Sequence, residues 1–207
     1  PNKLNALCRL LDRHQIRYGS AGATGNGLKA FDYRGGKETS IDVQPNDLVI
    51  SAYQPHSVMT QVLFEPEHRL SDSLTYDITA WALPYAYGLE AYALKQRLEP
   101  KRPFVPYKAP EVMLAASPYA WCVHRRSLAE AKFLGEILEK GLKVRYAMRP
   151  FDLADQQFEA GAVVITRADN HAMSADLDAI VQAAAAAANV PLHPIFSGWS
   201  RGGNDLG

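Results

Sequence analysis

The chain has 207 residues, 47% hydrophobic and 21% charged, and its 22 basic and 22 acidic side chains give a formal net charge of zero. That length suits one large domain or two small ones, with the composition of a packed globular chain rather than a disordered one. Charge balance removes the electrostatic warrant for nucleic acid or an anionic membrane surface as a partner, and no run approaches the roughly 20 apolar residues of a membrane span.

Residues 2–14 read as a helix, with Leu4, Leu7, Cys8 and Leu11 on one stripe. A glycine-rich passage, GSAGATGNG at 19–27, leads into four segments with strand character: LKAFDY, TSIDV, DLVISAY and SVMTQVLFE. Turn-rich junctions separate them, which predicts a small, mostly antiparallel β region. From Pro84 to Leu98 the pattern turns helical. Pro100, Pro103, Pro106 and Pro110 then mark an extended, stiff linker.

Beyond the linker the rhythm changes. VMLAAS and YAWCV read as strand, and Ser127 opens a helix with Glu130 three residues on, a capping box. Leu128, Ala131, Leu134, Ile137 and Leu138 give that helix an apolar face, and Gly141 sits where a C-terminal glycine belongs. LKVRYAM and AVVIT are further strands. Ser174 is read as the cap of a second helix with Asp176 and Asp178 in its first turn, and PLHPIF as a last strand. Strands alternating with helices predict βαβ units and a parallel sheet. The fold class expected is α/β: a small helix-plus-antiparallel-β region over 1–99, a proline-rich linker at 100–107, and a parallel βαβ domain over 108–207. That last domain is short of strands for a doubly wound sheet, so it is read as truncated or completed elsewhere. The opening PNKLNA without a Met, and the closing GGNDLG, read as ends cut from something longer.

The candidate chemistry is sparse. Gly19, Gly22, Gly25 and Gly27 could offer backbone N–H groups to a phosphate, but a strand rather than a helix follows, so the passage reads as a hairpin or surface loop. None of the six histidines has a carboxylate three residues on, so no H-x-x-E zinc motif exists and no metal ligand is assigned. Cys122 and His124 share one face of a strand, yet AWCVH lacks the glycine-flanked elbow of a thiol nucleophile. They are the candidate catalytic pair if the chain is a thiol hydrolase, and a buried strand cysteine otherwise. Cys8 and Cys122 are read either as one disulfide or as two buried thiols. Glu65, Asp72 and Asp77 could pair as general acid and base, although turn and capping roles explain Asp72 and Asp77 as well. In LSDSLTYDITAWALPYAYGLEAY, at 70–92, Tyr76, Trp81, Leu83, Tyr87 and Leu89 are read as a buried docking seam.

Two stretches carry a resemblance. QPHSVMTQVLFEPEHRLSDSLTYDITAWALPYAYGLEAYAL, at 54–94, and YAWCVHRRSLAEAKFLGEILEKGLKVRYAMRPFDLADQQFEAGAVVIT, at 119–166, are similar to the region after the catalytic domain of bacterial zinc carboxypeptidase-like proteins of the carboxypeptidase A superfamily. The later part resembles a class I glutamine amidotransferase-like domain, which implies a flavodoxin-like fold. In that family the active form uses a cysteine on a glycine-flanked elbow with His and Glu partners, a context Cys122 lacks. The resemblance implies a non-catalytic, accessory role beside an upstream peptidase domain of the same polypeptide, with zinc held in that upstream domain and none in this chain. It also implies a secreted or periplasmic location, and a structural role or the binding of a peptide or glycan. The alternative is an amidotransferase-like or thiol hydrolase built on Cys122.

Overall fold

A computed structural model describes residues 2–67, 82–112, 116–153 and 156–199. It is a mixed helix and sheet structure whose sheets are antiparallel, and the chain divides into two compact units, Pro1–Tyr107 and Lys108–Gly207.

The first unit opens with α1 (Asn2–Arg13) as its periodicity predicts; Leu7 and Leu11 are buried with Ile16 and Leu83, and Cys8 is buried beside them. Three strands follow in a meander-like sheet of order β3-β2-β5: β2 (Gly25–Asp32), β3 (Lys37–Val43) and β5 (Tyr92–Leu94). A separate two-stranded ladder pairs β1 (Gly19–Ser20) with β4 (Leu48–Val49). The antiparallel β region is therefore present, but DLVISAY supplies only two strand residues.

Two expectations fail here. SVMTQVLFE is a helix, α2 (Ser57–Phe64), not a strand. Its β-branched residues favour extended backbone, but the Thr60 hydroxyl donates to the His56 carbonyl one turn back. Leu63 and Phe64 also pack on the α1 core, and packing overrides a weak local preference. Conversely, the helix read over 84–98 is only α3 (Leu83–Tyr87). Gly88 adopts left-handed backbone at φ +57° and its N–H closes on Pro84 and Tyr85, so the chain turns into β5. Leu83, Tyr87 and Leu89 do join the α1 core, as the seam reading requires; Tyr76 and Trp81 lie outside the described residues.

The proline-rich stretch, read as an extended and stiff linker, makes contacts within the first unit. Ser20 bridges Arg102, and the Asn5 side-chain amide exchanges two hydrogen bonds with the Tyr107 backbone, at 2.6 and 3.0 Å. Proline lacks a ladder donor, so the segment is joined through these few non-proline positions and belongs to the first unit.

In the second unit the principal sheet has the order β11-β6-β10-β7, from β6 (Ala120–Val123), β7 (Arg145–Tyr146), β10 (Val163–Thr166) and β11 (His193–Ile195). Every described pairing in it is antiparallel, against the expected parallel flavodoxin-like sheet. The reason is instructive. β6 and β7, joined through α4 (Leu128–Glu139), do run parallel to each other, but β10 lies between them. β10 and β11, joined through α5 (Leu177–Ala188), likewise run parallel with β6 between. Two interleaved crossovers give a split βαβ, the ferredoxin-like order, whose one-dimensional rhythm matches that of a doubly wound sheet. The continuous apolar runs AWCV and VVIT also mislead, because they imply burial on both faces, as in parallel sheets. Here one face packs on α4 and α5 through Trp121, Val123, Val163 and Ile165. The other is covered by a ribbon of β8 (Phe151–Leu153) and β9 (Gln156–Phe158), two strands that the sequence reading did not separate out.

Ser127 caps α4 as read: its hydroxyl oxygen accepts from the Ala129 N–H, and the hydroxyl donates to Glu130. Gly141 follows the helix at φ +78°. The buried face, however, is Glu130, Phe133 and Ile137, while Leu128 and Leu138 are exposed. Phe133 carries the largest apolar area, and the helix is turned to bury it. α5 starts at Asp176 rather than Ser174, which instead ends a short 3-10 turn, His171–Met173; Asp178 sits in the first turn of α5 as expected. Of VMLAAS, residues 113–115 lie outside the described residues and the remainder is not strand.

Candidate functional site

Alternation along β6 sends Trp121 and Val123 to the helix side and Ala120 and Cys122 to the ribbon side. His124, one residue past the strand, continues the ribbon-side set. β11 brings a second histidine to the same place: in the β11–β6 register His193 lies directly opposite Cys122, and His124 is its diagonal neighbour. From β9, Phe158 closes the group. His124 stacks on the Phe158 ring at 5.0 Å and 21°, His193 meets it edge-on at 5.6 Å, and the two imidazoles are 5.2 Å apart. Phe151 stacks on the far side of the cluster against Phe158 at 5.1 Å.

The structure therefore unites Cys122 and His124, as their spacing predicts, and adds His193. Its role was hidden in the sequence because PLHPIF shows only a short strand, and strand pairing fixes the neighbour. The electrostatics are those of a desolvated site. Cys122 is fully buried, and burial pushes its thiol up to about 12, far from a thiolate at neutral pH. His124 is held below the ordinary histidine value by burial and then by Arg126. His193 is held below it by burial, then by His124 and Arg126. Nδ1 of His124 and Nε2 of His193 are buried without a hydrogen-bond partner among the described residues. No carboxylate hydrogen bond orients either ring among the described residues, so the arrangement lacks the base–orienter pair of thiol and serine hydrolases.

The other candidates are dispersed. Glu65 is exposed at the end of α2, and Asp72 and Asp77 lie outside the described residues. His14 and His56 are exposed in the first unit, His171 is exposed in the 3-10 turn, and His68 lies outside the described residues. The glycine passage does enter a strand, with Gly27 in left-handed backbone donating its N–H to Asp42 rather than standing open to a phosphate. Cys8 and Cys122 are two free, buried thiols. Among the described residues no group of three or more His, Cys, Asp or Glu side chains is placed to hold a metal ion, and no helix is long and apolar enough to cross a membrane.

The first unit has an open concavity of about 570 Å3 whose lining includes Asn5, Ser20, Pro45, Arg102, Phe104 and Tyr107. Comparison with known proteins finds no matching family model, no matching curated protein and no matching solved structure.

Proposed function

We propose that the chain is an accessory, non-catalytic part of a zinc carboxypeptidase-like protein, in which zinc-dependent hydrolysis of C-terminal peptide bonds belongs to an upstream catalytic unit and this chain acts structurally or binds a substrate or partner. The resemblance of residues 54–94 and 119–166 supports the parent family. The observation that carries the accessory role is the state of Cys122, the nucleophile candidate of the sequence: fully buried, with its thiol pushed up to about 12 and, among the described residues, no activating ion pair. A nucleophile needs both access and a thiolate, and this position supplies neither. The concavity beside Arg102 is where a peptide would lie on the first unit.

Activity and metal content test the reading together. The isolated chain is expected to leave C-terminally extended peptides uncut, with or without added zinc, and to purify with far less than stoichiometric zinc. Joined to the upstream region of the same polypeptide, the pair is expected to cleave them. A hydrolase activity of the isolated chain that Cys122→Ser abolishes would establish the thiol enzyme instead, and tightly held stoichiometric zinc would also overturn the proposal.

A further inference from the structure

The β8–β9 ribbon rests on the sheet through Phe151, Leu153 and Phe158, all buried, with Cys122 beneath them. Phe158 is also in contact with both imidazoles of the histidine pair. A neutral imidazole has one N–H, whereas an imidazolium has two and must satisfy both. Both rings are half-buried, but Nδ1 of His124 and Nε2 of His193 are buried with no partner among the described residues, so a second proton there would leave a buried N–H unsatisfied or force the cover to move.

The charged groups that face the pair are few. Arg126, just past β6, opposes protonation of both rings; Glu159, just past β9, and Glu130, on α4, favour it on His124; and each histidine, once charged, opposes the other. On β8, Asp152 lies between Phe151 and Leu153 and so on the opposite side of the ribbon. An ion pair between Arg126 and Glu159 ties the ribbon's end to the strand that carries His124.

We propose that His124 and His193 form an acid-sensitive latch beneath the β8–β9 ribbon: protonation of the pair releases the ribbon from the sheet and uncovers the apolar strip of Cys122, Phe151, Leu153 and Phe158. The direction follows from proton linkage. Both rings titrate below the ordinary value of 6.5, so the closed form binds fewer protons than the open one. Closure is fully favoured above pH 6.5 and weakens as the pH falls below it. Glu159 is held below its ordinary 4.5 by Arg126, so the ion pair persists between pH 6.5 and 4.5, and opening in that window belongs to the imidazoles.

Cys122 reports the opening, because the ribbon covers it. The rate at which 4,4′-dithiodipyridine, a disulfide reagent active in mild acid, labels Cys122 is followed by mass spectrometry as the pH is lowered from neutral to about 5, and is divided at each pH by its rate with glutathione to remove the loss of thiolate. Cys8, buried in the first unit, serves as the internal control for unfolding of that unit, and unchanged far-UV circular dichroism over the same pH range as the control for the second. The normalised Cys122 rate is expected to rise as the pH falls below 6.5, by up to about tenfold for each pH unit over which one histidine is unequally protonated in the two forms. Cys8 stays protected, and the acceleration disappears in the H124F/H193F double variant. A normalised Cys122 rate that is flat with pH, a rise that survives in the double variant, or Cys8 and Cys122 rising together would each overturn the latch. If the double variant does not fold, the C2–H proton resonances of His124 and His193 in the unmodified chain decide: titration of both rings below 6.5 together with the Cys122 acceleration supports the latch, and titration of either at or above 6.5 overturns it.

Discussion

Asp178 offers the sharpest test of how the second unit is held together. It lies in the first turn of α5, where a carboxylate suits the helix dipole, and it links that helix to the sheet. Its Oδ1 accepts from the Trp121 indole N–H at 2.9 Å and from Arg167 Nη2 at 2.7 Å, and its Oδ2 accepts from the same Nη2 at 2.8 Å. Arg167 in turn donates to the carbonyls of Pro118 and Ser174, so one carboxylate fixes β6, the end of β10 and the approach to α5. Asp178→Ala leaves a buried indole N–H without a partner and a guanidinium without its counter-ion. An orphaned buried donor alone costs about 1–3 kcal/mol. The Arg167 and Asp178 side chains are 24% and 25% exposed, so solvent trims the charge contribution to about 1 kcal/mol, and about 2–4 kcal/mol is expected in all. Asp178→Asn keeps an oxygen at the Oδ1 position for both donors and loses only the charge and the Oδ2 bond, for which about 1–2 kcal/mol is expected. Urea unfolding with Trp121 as the only tryptophan, after Trp81→Phe and Trp199→Phe, reads both values in one protein. A loss below about 1 kcal/mol for Asp178→Ala, or equal losses for the two variants, would refute the assignment of Asp178 as the shared acceptor.

Three further substitutions probe other parts of the argument. Phe158→Ala removes a fully buried ring that stacks on Phe151 and His124, and should lower the stability of the second unit by about 3–5 kcal/mol in the same urea titration. Ser127→Ala removes the acceptor for the Ala129 N–H, and a loss of about 1 kcal/mol is expected, with the first turn of α4 exchanging its amide protons faster. Gly88→Ala places a side chain at φ +57° where α3 must end, and about 1–2 kcal/mol of destabilisation of the first unit is expected by thermal unfolding, since the added Cβ meets only the mobile end of Lys3.

What the sequence made legible was local, and what it hid was pairing. α1, β2, β3, β6, β10, β11 and the Ser127 cap follow from periodicity and from short-range hydrogen bonding, both of which are written into consecutive residues. α2 defeated the same reading because Val58, Thr60 and Val62 satisfy a strand pattern equally well, and only contact with the α1 core decides between the two. The Cys122–His124 relation was legible because it is a two-residue spacing on one strand. The place of His193 in that cluster was not, since it depends on which strand lies beside β6, a choice made through contacts 71 positions apart in the chain (193 against 122).

The same distinction explains why the second unit reads as parallel and is not. A crossover helix specifies that the strands it joins point the same way, and β6 and β7 do. It does not specify that they are neighbours. Neighbourhood is set by which faces need covering, and β10 enters between β6 and β7 with Val163 and Ile165 turned to the helices and Val164 to the ribbon. Inserting β10 there puts an apolar strand in the centre of the sheet and leaves the short β7, with Arg145 paired to Asp169 and Tyr146 exposed, at the edge. An edge of two residues bearing a charge offers little template for another chain, which makes this arrangement safer than the reverse order, with the four-residue apolar strand outermost. The ribbon follows from the same requirement. A split βαβ sheet has helices on one face only, so Cys122, Val164 and Ile195 need a second cover, and β8 and β9 supply it from the connection between β7 and β10. His124 and His193 meet on this ribbon side of the sheet, away from the helix-side core.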